Sequence, residues 1–298
     1  MVEAGVGGRP MNRRVGLAGI GTMGLPIARR LLAGGIDLGV WNRSPAPLDA
    51  LADAGARAAD SFAALVGDHD IVLLMLFDEA AADAVLQRAG DRLGVDVAGK
   101  LIVQMATTSL DHSRALQRAV EVGGGRYVEA PISGSRIPAE RGELVAMMAG
   151  AADDKATLAA LFAQFTSVVV DCGAVPQALA MKLASNLLLG PIMVGLVDAT
   201  AFARRADLDM DVFADVLLGG QMASPIIRTK LAKLLADDHS PHAAIGNVII
   251  SAGTALDAAT ALGLDRTLLS ACLDRFVAAA DAGLANEDVT ALEKLLRR

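Results

Sequence analysis

Val15-Gly16-Leu17-Ala18-Gly19-Ile20-Gly21-Thr22-Met23-Gly24 is the stretch on which the reading of this chain turns. Residues 15–20 form an apolar run of strand length, and its end merges into three glycines in the spacing G-x-G-x-x-G. Residues 25–33 then show helical spacing and stop at Gly34-Gly35, before a second strand-like run at 38–41. In such a unit the first glycine permits a tight turn, the second lets the backbone approach a pyrophosphate, and the third lets helix and strand pack closely. The helix start adds free N–H groups and a partial positive charge suited to phosphate. The glycine spacing alone is a weak signal; its place between a strand, a helix, a glycine stop and a second strand makes it specific. Gly19, Ile20, Gly21, Thr22, Met23 and Gly24 are therefore expected to hold a nicotinamide dinucleotide.

The second strand ends in Asn42-Arg43-Ser44. A site for NAD usually places Asp or Glu there to hold the ribose 2′-hydroxyl. A carboxylate would repel a 2′-phosphate, whereas an Arg with amide and hydroxyl donors beside it would bind one. The expected cofactor is NADP(H), with Asn42, Arg43 and Ser44 at its 2′-phosphate.

Further along, apolar runs at 71–76, 101–105, 127–129, 144–149 and 168–170 read as strands, and 48–54, 79–89 and 110–122 read as helices. Leu76, closing the first of these strands, joins the expected cofactor contacts. Apolar strands alternating with helices imply an α/β fold, a Rossmann-type doubly wound and mostly parallel sheet covered on both faces. After Pro176 the pattern changes. Residues 177–206 form one long, nearly all-apolar helical stretch, and the rest shows helical spacing broken at Gly219-Gly220, Pro225, Ser240-Pro241 and Gly263. The expected division is a loose extension at 1–12, a dinucleotide-binding domain at 13–175 and an all-helical domain at 176–298. A helix apolar all round needs cover on every side. That cover is expected from the rest of the chain and from a second subunit, in a homodimer or higher homo-oligomer.

The 298 residues are 53% hydrophobic with a formal net charge of −7; mean hydropathy is +0.45. The longest uncharged runs, 183–197 and 242–256, carry polar residues and fall short of a span of about 20 apolar residues, so they read as buried core helices. No basic stripe offers a nucleic-acid footprint. The two cysteines, Cys172 and Cys272, lie far apart and read as buried thiols of a reducing cytoplasm. The four histidines form no metal spacing, and His239 and His242 read as solvated. Acidic residues along the helical stretches read as solvated faces, and Trp41 and Tyr127 as packing residues.

The segment 15–31 resembles the opening signature of the β-hydroxyacid dehydrogenase family, which includes 3-hydroxyisobutyrate dehydrogenase and the glyoxylate/succinic semialdehyde reductases. Three further segments match in the family's order. Gln104-Met105-Ala106-Thr107-Thr108 stands where the family usually has Asp-x-Ser-Thr; Thr107 matches the Thr that contacts cofactor and substrate, while Gln104 and Ala106 depart. Glu129-Ala130-Pro131-Ile132-Ser133-Gly134-Ser135 resembles the substrate-binding segment Asp-Ala-Pro-Val-Ser-Gly-Gly, and its continuation resembles the semialdehyde reductase branch. Lys182-Leu183-Ala184-Ser185-Asn186 resembles the catalytic stretch Lys-x-x-Asn-Asn. The resemblance implies Lys182 and Asn186 as catalytic residues and Ser133, Gly134 and Ser135 as substrate-binding residues.

The chemistry is consistent with those positions. Lys182 and Asn186, four apart on a predicted helix, share one face. Burial in an apolar helix would lower the lysine's pKa and let it exchange a proton near neutral pH; a lysine snorkelling out of the helix start is the plain alternative. In the helical domain the family's usual Lys-Asp pair falls at Ile250 and Ser251, and an upstream aromatic of the reductase branch falls at Ala243. One pocket wall is thus expected to be more apolar and roomier. Three functions follow: a reductase of a small aldehyde acid (or the reverse dehydrogenase of a 3-hydroxy acid), a reductase of a bulkier or less charged carbonyl or imine, and a non-catalytic NADP-binding scaffold.

Overall fold

The computed structural model describes residues 13–297; the expected extension at 1–12 lies outside the described residues. The elements run β1 (Val15–Ala18), α1 (Gly24–Ala33), β2 (Leu38–Trp41), α2 (Ala46–Ala52), β3 (Arg57–Ala58), α3 (Phe62–Asp68), β4 (Ile71–Leu74) and α4 (Glu79–Leu86). They continue with β5 (Leu101–Gln104), α5 (Leu110–Val122), β6 (Arg126–Glu129), β7 (Ile132–Ser133), α6 (Arg136–Arg141), β8 (Leu144–Gly150), α7 (Ala152–Phe162) and β9 (Thr166–Asp171). Five α-helices follow among the described residues: α8 (Gln177–Arg205), α9 (Met210–Gly219), α10 (Pro225–Leu235), α11 (Ile245–Ala261) and α12 (Thr267–Ala279), with a π-helical turn at Ala280–Leu284 and a 3-10 helix at Val289–Leu295.

The strands form one sheet in the order β3-β2-β1-β4-β5-β6-β8-β7, with β9 paired to β8. From β3 to β6 every pairing is parallel. β8 runs antiparallel to β6 and β7 and parallel to β9. The parity of the strands shows why the sheet is covered twice. Ile71 and Leu73 of β4 enter one core with Leu17, Leu101 and Val103, while Val72 and Leu74 enter another with Phe62, Ile102 and Leu116. Successive side chains point to opposite faces, and both faces are dry. The order reverses at β1, with β2 on one side and β4 on the other, which creates the crevice where ligands of such sheets bind.

The chain divides into two compact units that meet at Lys182 and Leu183, within α8. That point lies beyond the expected boundary at 175, because the first turn of α8 belongs to the sheet unit: Ala178 packs with Met147 and Ala149. The second unit has its own core, including Val197, Leu231, Leu234, Phe276 and Leu292. Its expected breaks all fall between or at the ends of helices, and its single strand-like feature among the described residues is the bridge of Ala244 to Asp288.

Some expectations fail. β1 and β4 stop two residues early, since the chain turns at Gly19 with φ +97° and after Leu74. α4 ends at Gln87, in the left-handed region at φ 50°, short of Ala89. β9 is not covered on both faces: Val168, Val169 and Val170 are all exposed. Cys172 is only partly buried, whereas Cys272 is buried. Helix α8, read from the sequence as a buried core helix, is not enclosed by the described residues. It is long and apolar enough to cross a membrane by length and composition, and only a third of its most apolar 18 residues is buried.

Candidate active site

The glycines of the first turn are glycine for two different reasons. A Cβ at Gly19 would lie 2.1 Å from the Met75 carbonyl oxygen, and one at Gly24 would lie 1.8 Å from the Gly19 carbonyl oxygen. The protein's own backbone forbids both. A Cβ at Gly21 would meet nothing within 4 Å. Among the described residues no atom fills the space there, and this is the place where a pyrophosphate would approach. α1 starts with no side-chain cap and no acidic residue in its first turn, which leaves first-turn N–H groups for an outside acceptor. The turn therefore fits a dinucleotide, with Gly21, Thr22 and Met23 the backbone that would meet its phosphates. Ile20 plays another part. Its side chain is in the core, and its N–H donates to Asn42 Oδ1 at 2.9 Å.

Asn42 is thereby a latch rather than a free donor. Its Oδ1 holds the glycine turn and its Nδ2 donates to the Ser44 carbonyl at 2.8 Å. Arg43 and Ser44 are exposed beyond β2. Because β2, β1, β4, β5 and β6 are parallel, everything that follows them lies at one edge of the sheet. Asn42–Ser44 follow β2, the glycine turn follows β1, Leu76 follows β4, Thr107 follows β5, and Glu129 closes β6. Leu76 also touches the turn, its Cδ2 lying 3.3 Å from where a Gly19 Cβ would be. At the end of β5 Thr107 is half-buried, and two buried polar atoms, Gln104 Nε2 and Thr108 Oγ1, have no partner among the described residues.

Ser133 ends the short β7 strand, opposite Val145. Gly134 has φ +132°, and a Cβ would come 2.5 Å from Leu144 Cδ2, so this corner needs glycine. Ser135 precedes α6 in extended conformation, and its hydroxyl does not cap that helix. The Ser-Gly-Ser corner thus offers two hydroxyls and turn N–H groups near the carboxyl edge of the sheet.

Lys182 lies in the second turn of α8 and is 8% exposed, so it does not snorkel into water. Burial lowers its pKa from 10.5 to about 8. Asn186 is half-buried one helical turn further along α8, on the lysine's face. The start of α8 is held by Glu129, which is fully buried and whose Oε1 accepts the Leu179 N–H at 3.1 Å. The motif around Glu129 does not by itself reveal this role; the signal in the sequence is a carboxylate within an apolar strand.

In the second unit Ile250 is exposed and Ser251 half-buried on α11, the serine hydroxyl donating to the Val248 carbonyl at 3.2 Å. Several acidic residues expected on solvated faces are buried: Asp154, Asp288 and Glu293. His239 is not solvated either; its side chain is 7% exposed, between Thr290 Oγ1 and Asp237. Among the described residues no cluster of three or more His, Cys, Asp or Glu could hold a metal ion.

A doubly wound sheet of this order, with an open glycine turn at its reversal point, defines a dinucleotide-binding protein. A sequence profile of the NAD-binding domain of 6-phosphogluconate dehydrogenase matches residues 14–173, and one described as NAD-binding of NADP-dependent 3-hydroxyisobutyrate dehydrogenase matches 177–296. Glyoxylate/succinic semialdehyde reductase 1 of Arabidopsis thaliana is 31% identical over 230 residues, 76% of this chain and 78% of that protein. The crystal structure of a 3-hydroxyisobutyrate dehydrogenase from Salmonella typhimurium superposes with a TM-score of 0.85 at 26% identity, covering 95% of this chain and 99% of the other. An imine reductase from Pseudomonas sp. shares the fold at a TM-score of 0.63 and 23% identity, covering 96% and 99% of the two chains. The chain belongs to the β-hydroxyacid dehydrogenase family of NAD(P)-dependent oxidoreductases.

Proposed function

We propose that this protein is an NADP(H)-dependent oxidoreductase that interconverts a small aldehyde acid and its hydroxy acid, with Lys182 exchanging the proton at the reacting oxygen. The observation that carries this is a lysine 8% exposed, its pKa brought down to about 8 by burial, on a helix whose start is tied to the carboxyl end of β6. A group with that pKa can give a proton to a developing alkoxide and take it back in the reverse direction near neutral pH. When bound, the reduced nicotinamide supplies the hydride. The chain's own residues do the rest. Ser133 and the N–H groups of Gly134 and Ser135 hold the substrate carboxylate, and Asn186 hydrogen-bonds the lysine or the reacting oxygen. Arg43, exposed at the end of β2 with no carboxylate from 42 to 46, favours a 2′-phosphate.

Ile250 and Ser251, in place of a charged pair, favour a second reading, in which the substrate is a bulkier or less charged carbonyl or imine. A scaffold without turnover is disfavoured by the retained, buried Lys182. One panel separates the three: oxidation of NADPH and of NADH with glyoxylate, succinic semialdehyde, larger keto acids and cyclic imines. Turnover of an aldehyde acid, lost by about 10²-fold or more in Lys182→Ala, is expected. Arg43→Ala should weaken NADPH far more than NADH; equal losses would overturn the cofactor assignment. Imine turnover surviving Lys182→Ala would establish the second reading, and silence across the panel the scaffold.

A further inference from the structure

The first turn of α8 has an unusual arrangement of partners. The Gln177 N–H donates to the Ala174 carbonyl at 2.9 Å, and the Ala180 N–H to the Pro176 carbonyl at 3.0 Å. Between them, the N–H groups of Ala178 and Leu179 have no acceptor from their own segment, and α8 carries no acidic residue in its first turn. Leu179 goes to the carboxylate of Glu129, whose Oε1 receives its N–H at 3.1 Å from 50 residues upstream, and the neighbouring Ala178 N–H favours the same charge. Ala178 and Leu179 are fully buried, so water cannot take the carboxylate's place. The other oxygen, Oε2, accepts the Ser113 hydroxyl at 2.5 Å, and the Ser113 oxygen also meets the Tyr127 hydroxyl at 2.9 Å. Ser113 stands on α5, shortly after Thr107 at the end of β5. Glu129 is thus braced from α5 while it grips α8.

We propose that Glu129 is a positioning residue for Lys182: braced by Ser113, its carboxylate fixes the first turn of α8 and with it the place and the dryness of the lysine. Lys182 lies one turn beyond Ala178 on the same helix face, so a fixed first turn fixes where the ammonium stands. Negative charge also suits the positive end of the helix. Burial holds the Glu129 carboxyl above its ordinary value, and the Ser113 hydroxyl, the Leu179 and Ala178 N–H groups and the charge of Arg114 offset only part of that rise. For Lys182 burial is the cause of the lowered pKa. Loosening the clamp admits water to the lysine, and its pKa then climbs back toward its ordinary value.

The proposal rests on Lys182 as the proton-exchanging group, and its test reads the lysine without turnover as well as through it. The full chain, labelled with 13C at lysine Cε, is titrated by NMR, and kcat and KM are measured beside it. In Glu129→Gln the Lys182 titration should move from about 8 toward 10.5, and kcat should fall roughly 10- to 100-fold, as expected for a misplaced catalytic group. The KM for the dinucleotide should stay within about twofold, since the glycine turn is untouched. Glu129→Asp, which keeps the charge, should recover part of both. If Glu129→Gln does not fold, Ser113→Ala loosens the brace alone and should move both readings in the same direction by less. A folded Glu129→Gln, or Ser113→Ala in its stead, with the lysine titration unmoved overturns the proposal, whatever happens to kcat. Full turnover in Lys182→Ala would instead remove the catalytic reading of the lysine, leaving the clamp to be judged by the titration.

Discussion

At the scale of single residues, the glycine turn separates geometry from ligand. Gly19 and Gly24 are excluded from having side chains by carbonyl oxygens of this protein, whereas Gly21 is not. Gly21 also lacks a positive φ. Gly21→Ala should therefore fold with an unchanged Tm and lose most of its dinucleotide affinity; Gly19→Ala and Gly24→Ala should lose stability as well. Thermal melting beside titration with NADPH reads both, and a Gly21→Ala protein with full affinity would remove the turn from the cofactor site. Lys182 gives the second residue-scale prediction. With its pKa lowered by burial to about 8, it is protonated below that pH and neutral above it. Reduction, which needs the acid form, should hold its kcat at lower pH and lose it as pH rises through about 8. Oxidation, which needs the base, should rise through the same value. Opposite limbs with a shared inflection are the expected profiles; parallel pH profiles in the two directions would exclude Lys182 from proton exchange.

At the scale of elements, what the sequence made legible follows from how each element is stabilised. β1, β2, β4 and β5 are buried on both faces, so continuous apolar runs reveal them. β3 and β7, two residues each, have no period to read. α3 is short, although Ser61 marks its start by accepting the Ala64 N–H at 3.1 Å. α6 contains Pro138, and the apolar residues of α7 do not gather on one face. The glycine turn, Arg43 and Lys182 could be read because local spacing carries them. The Glu129 clamp and the buried ion pair of the helical unit could not, since each joins residues 50 or more apart. That pair is Lys230 with Asp288, 2.8 Å apart and both buried, tying α10 to the segment before the 3-10 helix. The ammonium and the His242 and Ala243 N–H groups hold the Asp288 carboxyl below its usual range despite burial. Stability from this carboxylate is present above the unfolded carboxylate pKa and is lost as pH falls through the folded one. Lys230→Met leaves a buried charge without its partner and should cost about 3–5 kcal/mol. Adding Asp288→Asn should return a good part of that in urea unfolding. A double variant no more stable than the single would show that the unpaired charge is not the cause.

At the scale of the whole molecule, the helical unit leaves too much apolar surface in water. Phe202 on α8 and Val216 on α9 are each 70% exposed, and Leu188, Val212 and Leu268 are also exposed; no residue of α9 is fully buried. Such surface marks association, with a protein or with a lipid. A bilayer is the weaker candidate despite the length of α8. Ala178 and Leu179 at the start of that helix are buried in the sheet unit and bonded to Glu129, and Lys182 follows them. Insertion of the helix would break that clamp and carry an ionisable group toward the hydrocarbon. A second copy of the chain would instead cover like with like, in a two-fold arrangement that needs no charge removed. We therefore expect a homodimer at micromolar concentration by size exclusion with light scattering. Phe202→Glu with Val216→Glu should shift it to monomer, because an apolar interface must then bury two carboxylates per chain. A wild-type monomer that floats with liposomes would instead assign this surface to lipid.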